Sequence, residues 1–405
     1  MTSESAPRFL DRKTPPHIGT LVVITGMSAM VMNMFLPSLP NMTEYFRADY
    51  RLMQLSVALF LGAIAILQLF VGPLSDRFGR RPVLLVGLGV FVLATIGCLT
   101  AKSVEVFLLF RMGQAAVGVA MVLSRAIARD MFDQSRAASM IGYITMGMAV
   151  VPMISPAIGG ALDEAFGWKA SFWVFLGFGL AVFWLVWADV GETNTAKSAS
   201  FRAQIADYPE LLMSPRFWGY CLAAAFASGA FFAYLGGAPF VGSVVYGLAP
   251  SKLGMFFGAP ALGYMVGNFL SGRYSVTHGV NRMVLWGAIA STVGVSASLM
   301  LALAGLGSVY TFFGFMIFIG LGNGMILPNA TAGMLSVRPH LAGTASGLGG
   351  VIMMGGGAAL SALAGALLRP GSGPFPLLWI MLIVSVLAIA AIGLVIRRER
   401  SLGIA

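Results

Sequence analysis

Charged residues are scarce in this chain of 405 residues, in which Asp, Glu, Lys and Arg together make up 10%. A soluble globular domain carries about 25% charged residues, so this chain lacks the polar side chains needed to cover a surface in water. Hydrophobic residues make up 58% of the chain, and its mean hydropathy is +0.87. Together these values exclude an ordinary soluble enzyme, a nucleic-acid-binding domain and a disordered protein.

Cysteine and buried acidic residues are also sparse. The two cysteines, Cys98 and Cys221, lie within apolar stretches, with neither a disulfide framework nor metal-ligand spacing. All 15 Asp and Glu residues fall in loops or at helix ends, so we expect no buried carboxylate. A membrane-embedded enzyme would need clustered His, Asp, Glu or Ser side chains, and the sequence shows no such cluster. We therefore expect no enzymatic activity, no metal and no cofactor.

Long apolar runs, in contrast, are abundant. A helix needs about 20 mostly apolar residues to cross a bilayer, whereas a β-barrel strand needs about 10 with alternating polarity. The runs in this chain are long and apolar on every face, which predicts helices. The sequence therefore predicts an all-α integral membrane protein with twelve transmembrane helices, near residues 18–40, 52–74, 82–100, 104–124, 139–162, 168–190, 216–240, 252–272, 283–304, 307–330, 343–368 and 375–396.

Basic residues fall mainly in the gaps between these runs, and the formal net charge is +10. If the N-terminus lies inside, 18 of the 25 Lys and Arg residues are in inside segments, 6 are outside and Arg111 lies within a span. Cytoplasmic loops of membrane proteins carry the excess of Lys and Arg. The charge pattern therefore predicts a multi-pass membrane protein with both termini in the cytoplasm. Its surroundings are the lipid bilayer, and we expect no nucleic-acid partner.

The longest polar gap, residues 191–215, divides the runs into six and six. The two halves are similar at an offset near 205, so that residues 104–112 (VEVFLLFRM) align with 309–317 (VYTFFGFMI). Two such repeats place a substrate site at the membrane midplane between them. We predict a pseudo-symmetric pair, with an N-terminal six-helix bundle at 1–190, a cytoplasmic linker at 191–215 and a C-terminal six-helix bundle at 216–405. Because one chain holds both repeats, a monomer suffices.

The most restrictive motif is the loop 72–82 (GPLSDRFGRRP), between the second and third runs. Gly72 lets a neighbouring helix approach closely, and Gly79 allows a turn conformation that other residues disfavour. The Asp76 carboxylate can face the positive N-terminus of a helix in the other half. Alternatively, it can pair with one of the loop arginines, which are Arg77, Arg80 and Arg81.

This loop resembles the signature of the major facilitator superfamily, and the six-plus-six plan fits that family. More narrowly, the chain resembles the bicyclomycin/chloramphenicol-resistance (Bcr/CflA) group of drug exporters. The matching residues are 36–40 (LPSLP), 125–130 (RAIARD), 155–162 (SPAIGGAL) and Gly167-Trp168. The resemblance implies the major facilitator fold and multidrug efflux of small molecules, including antibiotics. It also implies alternating access coupled to proton antiport.

The resemblance further implies a set of residues that control the conformational change. These are Gly72, Asp76, Arg77, Gly79, Arg80, Arg81, Arg125, Arg129, Asp130, Pro156, Gly159 and Gly160. Pro156 removes a backbone donor and can bend its helix, while the two glycines let the helix pack tightly against a neighbour. For Asp130, the nearby charges favour a loop ion pair with Arg125 or Arg129.

Arg111 is the only charged residue deep within a predicted span. An arginine at a helix centre costs roughly 2.5–3.5 kcal/mol on insertion scales, so its side chain should face the bundle interior or a water-filled cavity. By resemblance to proton-coupled exporters, Arg111 assists proton movement or orders the substrate cavity. The alternative is a structural arginine paired with backbone carbonyls.

Further polar and aromatic side chains lie within the spans and are candidates for a substrate cavity. Buried amides need partners that lipid does not supply, so those near the midplane should face the cavity or another helix. An aromatic cluster in the seventh run can form a wall for an apolar ligand, or it can serve packing alone. The candidates are Asn33, Gln68, Gln114, Tyr143, Phe231, Phe232, Tyr234 and Asn323.

The first helix lacks the acidic residue that relatives in this group often carry before the Leu-Pro motif. The corresponding position holds Asn33, and an amide cannot carry a proton through a transport cycle. Proton antiport therefore depends on the resemblance alone, and the alternative is a uniporter or symporter that imports a small metabolite. A cavity with one cation and no acid favours neutral or anionic substrates.

Overall fold

A computed structural model of the protein describes residues 8–14, 16–131, 134–194, 208–338 and 341–403. Every regular element in these ranges is helical. Three short turns of 3₁₀- or π-helix, Leu36–Ser38, Ala115–Val117 and Val241–Val245, interrupt longer helices. The α-helices are α1 (Ile18–Asn33), α2 (Leu39–Phe46), α3 (Tyr50–Phe78), α4 (Arg80–Thr100), α5 (Val104–Gln114), α6 (Gly118–Met131), α7 (Gln134–Phe166), α8 (Lys169–Asp189), α9 (Tyr208–Leu212), α10 (Pro215–Phe240), α11 (Pro250–Phe257), α12 (Ala259–His278), α13 (Val280–Leu303), α14 (Val309–Ser336), α15 (Ala342–Leu367) and α16 (Phe375–Ser401).

Each predicted apolar run coincides with a long helix or with two helices in line. Among the described residues, eleven such segments are long and apolar enough to cross a membrane. The remaining run, 139–162, lies within α7, which is 33 residues long. Along α7 the side chains before residue 151 are described only at Met140 and Ile144. The all-α integral membrane fold is thereby confirmed.

Local sequence signals explain where these helices begin and end. Asp49 caps α3 by accepting a hydrogen bond from the backbone N–H of Arg51 at 2.8 Å, as short polar side chains do at helix N-termini. Ser308 and Thr311 form a reciprocal capping box at the start of α14. Inside a bilayer, helices satisfy the remaining backbone groups internally, which is why the apolar runs fold this way.

The two halves of the chain repeat the same local features. The turn after α3 is made by Gly79 with φ +102°, and the turn after α12 is made by Gly279 with φ +83°. Both values lie in the region of φ that glycine adopts without steric penalty. Likewise, α5 begins at Val104 and α14 begins at Val309, which is the offset of 205 predicted from the sequence.

Two helix bundles pack against each other along two main helix pairs. In the first bundle, α1 contacts α6, α7 and α8, while α4 contacts α5 and α8. In the second, α10 contacts α14, α15 and α16, and α13 contacts α14 and α16. Across the two bundles, α3 packs against α15 and α7 packs against α11. Most of the predicted linker 191–215 lies outside the described residues, so the domain boundaries stay a prediction.

Candidate functional site

A cavity of about 260 Å³ lies between the two bundles. Its wall is formed by α1, α3, α6 and α7 of the first half and by α10, α11, α12, α14 and α15 of the second. Most of the lining is apolar, with aromatic side chains from α10 and methionines from α15. The polar side chains in the lining are Ser28, Asn33, Arg125, Ser228, Tyr264 and Asn323.

One end of the cavity is closed by close packing of α7 against α11. A Cβ atom added at Gly160 would overlap the carbonyl oxygen of Pro250, and one added at Gly254 would overlap that of Pro156. Glycine is therefore required on both helices for this approach, as at other small-residue helix contacts in membranes. Gly159 makes a similar contact with the backbone of Met34, which joins α7 to the end of α1.

Polar contacts between α3 and the second bundle close the same end. The Gln54 side-chain amide donates to the Ser361 carbonyl oxygen at 2.6 Å and to its hydroxyl at 2.8 Å. The Tyr50 hydroxyl donates to the Gly236 carbonyl oxygen at 3.2 Å. Tyr50 is the first residue of α3. We call this end of the molecule the Tyr50 end.

The opposite end holds the Gly79 turn, and the cavity opens in that direction. Arg125 lines the cavity, yet its side chain is exposed, and it lies near the Met131 end of α6. We call this end the Gly79 end. The molecule is therefore closed at the Tyr50 end and open at the Gly79 end.

Polar contacts at the Gly79 end join the Gly79 turn to the end of α6 and to the segment after α8. Arg80 pairs with both Asp76 and Asp130, the second contact being 3.0 Å from Nε to Oδ2. The Glu192 carboxylate accepts from the backbone N–H of Arg80 at 2.9 Å. A Cβ atom at Gly79 would overlap that Glu192 carboxylate, so a side chain there would have to displace it, and the positive φ of Gly79 also favours glycine. The sequence-based prediction of Arg125 or Arg129 as the partner of Asp130 missed Arg80, because Arg80 precedes it by 50 residues.

Arg111 lies inside the first bundle and is fully buried. Its guanidinium donates to the carbonyl oxygens of Val31 at 2.9 Å and Ser56 at 3.4 Å, and to the Gln114 side-chain oxygen at 2.7 Å. The rings of Phe35 and Phe60 cover it, with centroids 4.2 and 4.1 Å from the guanidinium carbon. Such cation–π contacts are strongest where water is excluded. Arg111 is therefore held by backbone carbonyls and rings, behind the cavity wall.

A sequence model described as the Major Facilitator Superfamily matches residues 21–362. The chain belongs to the Major Facilitator Superfamily. It is accordingly a transporter rather than an enzyme, and a multi-pass membrane protein.

Curated relatives place this facilitator close to drug-resistance proteins. It is 29% identical to a bicyclomycin resistance protein homolog of Haemophilus influenzae, over 88% of this chain and 90% of the relative. It is 30% identical to a chloramphenicol resistance protein of Pseudomonas aeruginosa, over 81% of this chain and 79% of the relative. The resemblance to the bicyclomycin/chloramphenicol-resistance group is thereby confirmed.

A solved structure supports the fold independently. The bacterial homolog of the human lysosomal transporter Spinster, described as inward-facing and occupied, superposes with a TM-score of 0.70. The match covers 95% of this chain and 96% of that chain at 18% sequence identity. This likeness concerns the fold alone.

The facilitator fold brings only part of the predicted site together. Asn33, Phe231, Phe232 and Asn323 line the cavity. Of the other predicted cavity positions whose side chains the structure describes, none is among the residues that line the cavity. Gln114 is fully buried beside Arg111 and donates to the Thr95 hydroxyl at 2.8 Å.

Two further predicted residues, Tyr234 and Gln68, are not among the residues that line the cavity. Tyr234 is fully buried and packs against the rings of Phe257 and Phe313 in the second bundle. Gln68 lies at the contact between α3 and α15, where its side-chain oxygen faces Gly350. The side chain of Tyr143 falls outside the described residues.

Two residues that line the cavity, Arg125 and Tyr264, were not among the cavity candidates predicted from the sequence. The predicted fourth span ended at 124, whereas α6 continues to Met131 and carries Arg125 into the membrane-spanning helix. Residues three or four apart share one helix face, and Gly118, Met121 and Arg125 all line the cavity. That spacing was the available signal.

Buried carboxylates contradict the expectation that the chain has none. Asp163, Asp189 and Glu399 are each exposed by 5% or less. They lie at helix ends, as predicted, but the packing around those ends excludes water. Asp189 accepts hydrogen bonds from the backbone N–H of Leu10 and His17 and so holds the N-terminal segment. Among residues 8–131, 134–194, 208–338 and 341–403, no group of three His, Cys, Asp or Glu side chains could hold a metal.

Proposed function

We propose that this facilitator exports small amphipathic molecules, including antibiotics, across the cell inner membrane by alternating access. The observation that carries the proposal is one mainly apolar cavity between two bundles, closed at the Tyr50 end and open at the Gly79 end. The names of the bicyclomycin and chloramphenicol resistance relatives favour export and antibiotics as cargo.

The contacts that close the Tyr50 end can break and form again while each bundle moves as a rigid body. The α7–α11 approach depends on glycines and backbone surfaces, and the α3–α15 contact on a few hydrogen bonds. Rocking of one bundle against the other would separate both contacts and bring the Gly79 end together, as in transporters built from repeats. We assign Gly72, Asp76, Arg77, Gly79, Arg80, Arg81, Arg125, Arg129, Asp130, Pro156, Gly159 and Gly160 to this exchange.

Topology and assembly are part of the proposal. We propose that the Gly79 end and both termini face the cytoplasm, and the excess of basic residues at that end supports this orientation. The domain division at 191–215 follows the repeat. Both halves of the cavity come from one chain, so the transporting unit is a monomer.

Proton antiport is the coupling we propose, because the sequence resembles the bicyclomycin/chloramphenicol-resistance (Bcr/CflA) group of exporters. One observation favours a second candidate, import of a metabolite by uniport or symport. No acidic side chain is present among the described residues that line the cavity. A carboxylate at the substrate site is the usual means of exchanging a proton for a cargo.

Export can be tested in a bacterial host that lacks its own efflux pumps. Cells expressing the transporter should survive a panel of antibiotics better than cells without it, and loaded cells should lose drug more slowly when an uncoupler is added. Protection against no compound, with uncoupler-sensitive uptake, would instead favour import.

A variant at the closed end connects that phenotype to the mechanism. Gly160→Val should abolish protection, because the added side chain overlaps Pro250 and prevents closure of the Tyr50 end. Gly177→Val is the matched control, since a Cβ atom there meets nothing within 4 Å. If both variants protect as well as the parent protein, closure of this contact is not part of transport.

A further inference from the structure

One amide side chain in the cavity wall lacks a partner within the described part of the protein. Asn323 lies near the middle of α14, lines the cavity and is 5% exposed. Its side-chain oxygen is buried, and no donor among the described residues bonds to it. Proteins pair nearly all of their buried polar groups, because an unpaired one destabilises the fold. The partner of this amide must therefore come from within the cavity, as water or as a polar group of the cargo.

Other asparagine side chains within the spans bond to their own helix. Asn268 and Asn329 each donate to the backbone carbonyl oxygen four residues earlier, at 2.8 Å. Asn33, which also lines the cavity, donates in the same way at 2.7 Å. Asn323 makes no such bond in the part of the chain that the structure describes. Its amide is therefore available to a ligand, whereas those of the other three are occupied in part.

Close packing of α14 against α12 fixes the backbone that carries Asn323. A Cβ atom added at Gly320 would overlap the carbonyl oxygen of Pro260, and one added at Gly324 would overlap that of Tyr264. These two glycines flank Asn323 and allow the two helices to approach closely. A binding group on a rigid element is already in place when the ligand arrives, which lowers the entropic cost of binding.

Most of the remaining lining suits an apolar molecule. Phe231 and Phe232 from α10 and Met353 and Met354 from α15 provide adaptable apolar surface. The volume of about 260 Å³ lies near the lower end of the roughly 300–1,000 Å³ typical of ligand pockets. The cargo would therefore be small, with an apolar body.

A carboxamide is the chemical group that complements an asparagine side chain. The asparagine amide has a carbonyl oxygen that accepts and an NH₂ group that donates, side by side. A carboxamide carries the same pair, so two such groups can form two hydrogen bonds in opposite directions. A carboxylate has no donor for the asparagine oxygen, and an ammonium group has no acceptor for the asparagine nitrogen.

We infer that Asn323 binds a carboxamide group of the cargo, so that the cavity favours small apolar molecules that carry this group. The inference rests on the proposed function, because it names the substrate class of the same cavity. It also assigns to Asn323 a direct contact with the cargo.

Equilibrium binding to the purified full-length protein tests this inference without requiring transport. The probes are naphthalene carboxamide and isopropylnaphthalene, which have nearly the same shape but differ in the polar group. Equilibrium dialysis against protein-free detergent solution measures binding and corrects for partition into micelles. In Asn323→Leu the dissociation constant of the carboxamide should rise about tenfold, because two neutral hydrogen bonds are lost. Binding of isopropylnaphthalene should not weaken.

Further variants locate the effect at this amide. Asn323→Ala, which adds no bulk, should weaken carboxamide binding more than isopropylnaphthalene binding, even if leucine at this position disturbs folding. Asn323→Gln keeps an amide and should retain part of the carboxamide affinity. Asn268→Leu is the matched control, because it removes an asparagine of α12 outside the lining, and it should leave both dissociation constants unchanged.

The inference is overturned if the parent protein binds no carboxamide, or if the ratio of the two dissociation constants is the same in Asn323→Ala as in the parent protein. Antibiotic protection that persists beside such a result would leave the proposed function standing. Carboxamide binding that depends on Asn323, in a protein that protects against no antibiotic, would support the inference and count against export alone.

Discussion

At the scale of single residues, burial separates two arginines of one span into different roles. The sequence predicts Arg111 within the fourth span and Arg125 in the segment after it, whereas the structure places both arginines on helices of that span. The two arginines differ in position: carbonyl oxygens of α1 and α3 hold Arg111, whereas Arg125 lines the cavity. The residues that hold Arg111 are distant from it in the chain, so no local pattern predicts them.

Arg111 should therefore contribute to stability more than to substrate binding. Arg111→Ala leaves the Gln114 side-chain oxygen and the space between Phe35 and Phe60 without a partner. The loss should be about 2–4 kcal/mol, given about 1–3 kcal/mol for each buried polar group left unsatisfied. Thermal unfolding of the purified protein measures it, with Arg273→Ala as the exposed control. An unchanged midpoint in Arg111→Ala would refute the structural role.

At the scale of helices, most of the architecture was predictable. The apolar runs marked the spans, and the offset of 205 marked the repeat, because bilayer thickness and backbone hydrogen bonding leave few alternatives. Helix ends were less predictable. The continuation of α6 to Met131 was missed because two arginines, Arg125 and Arg129, are typical of a loop. Both side chains are exposed on the helix, so water at the open Gly79 end can solvate them there.

The Gly79 turn after α3 and the Gly279 turn after α12 occupy equivalent places in the two halves, so their contributions to stability can be compared. Gly79→Ala and Gly279→Ala should each cost at least about 1 kcal/mol, since both positions have positive φ. Gly79→Ala should cost more, because a Cβ atom there also displaces Glu192, while Gly279 has open space. Thermal unfolding of both variants checks the order. Equal midpoints would show that the Glu192 contact adds nothing to the stability of this turn.

At the scale of the whole molecule, the proposed transport mechanism depends on two bundles that move around one cavity. The sequence predicted the six-plus-six plan and four of the cavity residues, Asn33, Phe231, Phe232 and Asn323. It could not predict which end is closed, because that depends on contacts such as Gln54 with Ser361, 307 positions apart. The structure shows that the Tyr50 end is closed, so we expect this end to open and the Gly79 end to close during transport.

Pairs of spin labels, read by electron paramagnetic resonance, measure this movement directly. Arg47→Cys with Arg369→Cys reports on the Tyr50 end, and Phe78→Cys with Val276→Cys reports on the Gly79 end. All four positions are exposed, whereas the two native cysteines are buried. During transport of a cargo, the first distance should lengthen in the same population in which the second shortens. Two distances that stay fixed, or that lengthen together, would contradict alternating access around this cavity.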